Sequence, residues 1–183
     1  MREIDKRTRV SRRVFLRNSA TVLPAAAAAL AGMTIGAEEA WAQGATTLKP
    51  HTMATLARMA RDIYPHDRLA DVYYIKAVAG YDALAAKDPK LAKMIEDGVA
   101  ALDAAAQKAQ KSTYLLVAWE KDRVALLTAA EKSPLFQKLR GELLVSLYNN
   151  PDVWPKFGYE GESASKGGYI NRGFDDINWL PTA

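Results

Sequence analysis

Few side chains in this sequence have the type and spacing that chemistry at a site requires. The 183 residues include no Cys and two His, which excludes disulfides, thiolate metal sites, c-type haem attachment and Cys nucleophiles. His66 precedes Asp67 as a base would precede an orienting carboxylate, but adjacent residues rarely face each other and no nucleophile motif accompanies them. Two isolated His with scattered Asp also fall short of the three or four convergent ligands of a metal site. We therefore assign no catalytic and no metal-binding residue, and interpret His66 as part of a surface turn.

Two carboxylate pairs and one glycine pair are the remaining candidates for chemistry. Glycosidases use two carboxylates on either side of the scissile bond, and Asp62 with Asp67, or Asp175 with Asp176, could supply such a pair. Asp is common enough, however, for such pairs to arise by chance. Gly167-Gly168 has no strand before it and no helix after it, which favours a turn over an anion-binding loop. Nucleotide-binding glycine motifs are absent as well, so we assign no cofactor-binding residue.

The excess of basic residues lies almost entirely at the N-terminus. The chain has a net charge of +4, yet residues 1–42 hold seven basic and four acidic side chains, which leaves 18 basic and 17 acidic ones for residues 43–183. Binding to many phosphates needs a concentrated basic face. The nearly neutral body therefore argues against a nucleic-acid partner.

The first 42 residues have the order of an export signal. Basic residues precede an apolar stretch at 22–35, and small residues at Ala40 and Ala42 suit a signal peptidase. The stretch is shorter than the roughly 20 residues of a spanning helix. Residues 11–17, which precede the apolar stretch, resemble the twin-arginine export motif: Ser11-Arg12-Arg13-Val14-Phe15-Leu16-Arg17. We expect export to the periplasm with cleavage after Ala42; an uncleaved anchor and a basic amphipathic helix on the membrane surface are the alternatives.

Apolar periodicity predicts the structure that follows the export signal. Apolar residues recur at three- and four-residue steps, as on one face of a helix. The predicted helices cover about 50–64, 69–86, 89–110, 119–131 and 135–148, and Ser133-Pro134 resembles an N-cap with Pro at the first helical position. Residues 112–118 fit either an extended or a helical segment. We expect an all-α protein, a compact bundle of about five helices, within a single domain at 43–183.

From about residue 149 the chain is expected to be irregular. Residues 148–183 contain seven aromatic residues and five of the eleven Gly, with no sustained period. Each aromatic side chain carries up to roughly 150–250 Å² of largely apolar surface, so this tail must pack on the helices of its own chain, on another subunit, or on both. The candidate partner-binding residues are Trp154, Phe157, Tyr159, Tyr169, Phe174 and Trp179.

Two stretches resemble the gluconate 2-dehydrogenase subunit 3 family. Residues 56–67, Leu-Ala-Arg-Met-Ala-Arg-Asp-Ile-Tyr-Pro-His-Asp, are similar to the opening Leu-Asp-Ile-Pro segment of that family. Residues 133–151, with the Gly and aromatic residues of 154–176 behind them, are similar to its C-terminal half. The likeness covers most of residues 50–180 and is weakest at 87–112, and a twin-arginine signal is itself usual in the family.

The resemblance implies a non-catalytic small subunit of a periplasmic, membrane-linked sugar or alcohol dehydrogenase. In such complexes a large flavoprotein of the glucose-methanol-choline oxidoreductase type carries FAD and oxidises the substrate, and a cytochrome c subunit often accepts the electrons. The small subunit carries the export signal, and the flavoprotein travels with it. This would explain why a pathway for folded proteins serves a chain without a visible cofactor site. The alternative is a free-standing periplasmic enzyme or small-ligand binding protein, which would need a pocket with convergent polar groups.

Overall fold

The helices that the apolar periodicity predicts are present in the computed structural model, which describes residues 41–170. The described part is all-α and forms a bundle, as expected. Its helices are α1 (Pro50–Ile63), α2 (Asp71–Val78), α3 (Gly80–Lys87), α4 (Pro89–Gln110), α5 (Glu120–Ala129) and α6 (Pro134–Ser146). Short 3₁₀ turns occupy Tyr114–Leu116, Trp154–Phe157 and Ala164–Lys166. No described helix is both long and apolar enough to cross a membrane.

Proline and short polar side chains determine where the helices begin. Pro stands in the first turn of α1, α4 and α6, where its missing N–H costs no helical hydrogen bond. The Asp88 carboxylate accepts hydrogen bonds from the second and third N–H groups of α4. The Ser133 hydroxyl accepts one from the Phe136 N–H at 3.2 Å, which confirms the predicted N-cap of α6.

The second predicted helix, at 69–86, is two consecutive helices in the structure. Ala79 separates α2 from α3, and its N–H donates to the Lys76 carbonyl, three residues back, at 3.4 Å. The apolar pattern continues across this break, which is why the periodicity predicts one helix. The break is directly followed by Gly80, and glycine is the residue type with the highest conformational freedom.

Helix α1 is the centre of the bundle and packs against α2, α4, α5 and α6. The sequence predicts one buried face for it, but nearly every residue from Thr52 to Ala60 is buried. Such burial requires small or satisfied polar side chains, and the Thr55 hydroxyl donates to the His51 carbonyl at 2.8 Å. The first predicted helix is therefore enclosed by its neighbours and does not lie on the surface.

Helix α4 approaches the start of α6 closely at Gly98. A Cβ atom at this position would lie 2.7 Å from the Cβ of Leu135, which is closer than real side-chain contacts allow. A glycine inside a helix lowers the intrinsic stability of that helix. The structure shows that the missing side chain is what permits the two helices to touch.

The segment before α1 is held by Asp82 on α3. Its carboxylate accepts hydrogen bonds from the N–H groups of Thr46, Thr47 and Leu48 at 2.8–3.0 Å. Burial alone would raise the pKa of Asp82, but these hydrogen bonds lower it to about 2. Ala42 is buried just before this contact. Cleavage after Ala42 would thus remove a packed side chain, while the other predicted export and cleavage residues, Arg12, Arg13, Phe15, Leu16 and Ala40, lie outside the described residues.

Candidate partner-binding surface

Aromatic residues join the end of α1 to the end of α6. The Tyr148 ring stands edge-on to Tyr64 and to His66, with a centroid separation of 5.6 Å in both pairs. His66 Nε2 lies 2.7 Å from the Tyr148 hydroxyl oxygen. The Tyr64 hydroxyl donates to the Arg140 carbonyl on α6 at 3.2 Å. These contacts fix the turn after α1 against the last turn of α6.

The beginning of the tail packs on this cluster. Phe157 stands edge-on to His66 at a centroid distance of 4.9 Å, and the Trp154 indole N–H donates to the Tyr148 carbonyl at 2.8 Å. Tyr159 packs edge-on against Trp154 at 5.3 Å. Edge-to-face pairs of this kind are a favourable arrangement of aromatic rings. We call Tyr148, Trp154, Phe157 and Tyr159 the aromatic surface.

The aromatic surface is held in place but only half covered. Val153 is fully buried directly before the 3₁₀ turn, and Asp152 forms an ion pair with Lys76 of α2 at 3.0 Å. Phe157 nevertheless keeps 45% of its surface exposed and Tyr159 keeps 48%. The described part of the tail therefore packs on its own bundle and also presents aromatic rings to solvent. Rigid, partly exposed aromatic side chains are typical anchors of protein interfaces.

The structure brings together three of the six predicted partner-binding residues: Trp154, Phe157 and Tyr159. Tyr169 is exposed and takes part in no ring pair within residues 41–170. Phe174 and Trp179 lie outside the described residues.

Sequence reasoning missed His66 as a member of the cluster. It lies in the predicted turn, but its partners are the Tyr148 hydroxyl and the Phe157 ring. Burial among these groups lowers its pKa, which favours the neutral imidazole. The second histidine, His51, instead lies 2.6 Å from Asp103 on α4. The two His therefore have separate partners, and the described residues contain no group of three or more metal-ligating side chains.

A buried charge pair joins α1 to α5. Arg123 holds Asp62 with two hydrogen bonds, from Nε at 2.7 Å and from Nη2 at 2.9 Å, and the Tyr114 hydroxyl donates to the same carboxylate at 2.6 Å. The Asp62 side chain is 1% exposed and that of Arg123 is 9% exposed. The hydrogen bond to Asp62 is the main reason that the pKa of Arg123 is raised. Asp62 is thus held in a buried structural ion pair with Arg123.

The same arginine shapes the loop between α4 and α5. Its Nη1 donates to the carbonyl oxygens of Val117 and Ala118 at 2.9 and 3.2 Å. The loop, which the sequence left open between strand and helix, contains a 3₁₀ turn and ends at Trp119, whose side chain is 70% exposed. Trp119 is thus a further exposed aromatic side chain, and it lies apart from the aromatic surface in the chain.

Comparisons with known proteins give no relative for this chain. No family model, no curated protein and no solved structure matches it.

Proposed function

We propose that the chain is a non-catalytic small subunit that binds, stabilises and co-exports an FAD-dependent dehydrogenase through the twin-arginine pathway. The observation that carries this proposal is the aromatic surface, where Phe157 and Tyr159 are fixed on the bundle and remain half exposed. Such rings lose little conformational entropy on binding, because the chain has already ordered them. The twin-arginine motif and the family resemblance give the kind of partner: a large flavoprotein of the glucose-methanol-choline type.

In this proposal the chemistry belongs to the partner. FAD and the oxidised sugar or alcohol would be bound by the large subunit, and a cytochrome c subunit is a further partner that the resemblance suggests. This chain would supply the export signal and a docking surface. Its contact with the membrane would come through its partners or through an uncleaved signal.

The first experiment tests co-export. The proposed FAD-dependent partner is produced with and without this chain, and periplasmic dehydrogenase activity is measured after fractionation. We expect activity in the periplasm only when both chains are present. Replacing both Arg12 and Arg13 by Lys should retain the two proteins in the cytoplasm, since that motif would be the only export signal of the pair. Normal periplasmic activity without this chain would contradict the proposal.

The second experiment tests the aromatic surface. Phe157→Ala and Tyr159→Ala should each weaken binding of the flavoprotein at least about tenfold, the effect of removing an interface anchor. Leu84→Ala is the matched control, because Leu84 is 47% exposed on α3 and belongs to no part of the aromatic surface. It should change the dissociation constant less than about threefold. Equal effects of all three substitutions would remove the aromatic surface from the proposal.

The alternative, a free-standing enzyme or ligand-binding protein, gives a different result when the chain is purified alone. Turnover of a substrate, or tight binding of a polar ligand by a stable monomer, would favour the alternative. Instability that co-expression with the flavoprotein corrects would favour the small subunit.

A further inference from the structure

The predicted cleavage bond, between Ala42 and Gln43, lies in a turn that packs on the bundle. The Trp41 carbonyl accepts from the Gly44 N–H at 3.1 Å, and the Ala42 carbonyl accepts from the Ala45 N–H at 3.0 Å. The Ala42 side chain is 1% exposed. A protease that cuts after Ala must take this side chain into its S1 pocket. In the folded chain, the side chain and the carbonyl of the bond are both engaged in contacts within the protein.

Asp82 holds the residues that follow this turn. Its carboxylate accepts from three successive backbone N–H groups, those of residues 46–48, and from the Thr46 hydroxyl at 3.0 Å. Burial favours the neutral acid, but these hydrogen bonds lower the pKa of Asp82 to about 2, so the carboxylate is charged at neutral pH. Leu48, at the end of the segment, is 2% exposed. Residues 42–48 are therefore held by two buried side chains and by one charged acceptor between them.

We propose that Asp82 protects the bond between Ala42 and Gln43, so that removal of the predicted export signal requires residues 42–48 to detach from the bundle. This inference rests on the proposed function, because a chain exported in the folded state presents a folded cleavage site. Proteolysis of a transiently opened segment follows the population of its open form. The strength of the contact with Asp82 then sets the rate of processing.

The first test uses a protease that is unrelated to export. The purified full-length chain is incubated with elastase, whose small S1 pocket suits Ala, and mass spectrometry follows the fragment that begins at Gln43. Asp82→Asn should yield this fragment at least about tenfold faster than the wild type, because a neutral amide accepts hydrogen bonds more weakly than a carboxylate. Asp97→Asn is the matched control: it removes the same charge at an exposed site on α4 and should change the rate less than about twofold.

Amide hydrogen exchange shows whether the segment detaches alone. In the wild type, the N–H groups of residues 46–48 should exchange at least about tenfold faster than that of Leu143, which lies in the core of α6 and exchanges when the bundle unfolds. Urea below the unfolding midpoint should accelerate exchange at Leu143. It should leave residues 46–48 nearly unchanged, because a local opening exposes little surface.

Two results would overturn the inference. Equal rates of cleavage after Ala42 in the wild type and in Asp82→Asn would show that Asp82 does not protect the bond. An equal response of residues 46–48 and Leu143 to urea would show that the segment opens only with the whole bundle. Failure of the proposed function looks different: the dehydrogenase would reach the periplasm without this chain, while both measurements on Asp82 would still give the expected result.

Discussion

Loss of the buried charge on Asp62 should destabilise this protein far more than its small chemical change suggests. Asp62→Asn preserves the size of the side chain but leaves the Arg123 guanidinium buried without a counter-charge. Removing one partner of a buried pair costs about 3–5 kcal/mol. Two carbonyl oxygens still accept from Arg123, so we expect the lower end, about 3 kcal/mol. In urea unfolding followed by circular dichroism, this loss lowers the midpoint by about 1–2 M.

A surface pair provides the matched control for this experiment. Asp97 pairs with Lys93 at 2.7 Å on α4, but both side chains are mostly exposed, so Asp97→Asn should cost at most about 0.5 kcal/mol. A second variant, Asp62→Asn with Arg123→Met, removes both charges and should be more stable than Asp62→Asn alone. The reasoning is refuted if Asp62→Asn is as mild as Asp97→Asn, or if the double change costs the sum of the two single ones.

Three further measurements test the packing, the N-terminal contact and the processing site. Gly98→Ala should lower the free energy of unfolding by about 1–3 kcal/mol, because the added Cβ overlaps with α6. Gly141→Ala is the control: Gly141 lies inside α6 with open space around it, so this change should raise the free energy of unfolding by about 0.5–1 kcal/mol. Equal effects of the two changes in urea unfolding would contradict the packing argument. Because the fold lowers the pKa of Asp82 from 3.8 to about 2, the stabilisation of the protein by this carboxylate is complete above pH 4 and is lost as the pH falls towards 2. The thermal unfolding midpoint of Asp82→Asn should therefore depend less on pH over that range than the midpoint of the wild type. Parallel pH curves for the two proteins would argue against the contact. For the exported form that we propose, mass spectrometry should find Gln43 as the first residue, and a first residue elsewhere would revise the cleavage site.

Periodicity was enough to predict the all-α bundle, because amphipathic helices leave a pattern in the sequence. It did not predict the burial of nearly every residue from Thr52 to Ala60 in α1, because these central residues include Ala and Thr and give little contrast between the faces of the helix. It also merged α2 with α3, since the apolar pattern crosses Ala79 without interruption. Composition pointed to Trp154, Phe157 and Tyr159 as candidate partner-binding residues, and left open whether their rings pack on the bundle of their own chain, on a partner or on both. The role of His66 was not predictable, because its partner Tyr148 is 82 residues away and no local pattern records that contact.

The end of α1 supports both exposed aromatic sites. Asp62 holds Arg123, which fixes the loop that presents Trp119. Tyr64 and His66 hold Tyr148, the member of the aromatic surface nearest to α6. All three supporting residues fall within residues 56–67. Their contacts give that stretch a structural role, because the contacts fix the backbone and the rings from which Trp119, Phe157 and Tyr159 project towards solvent.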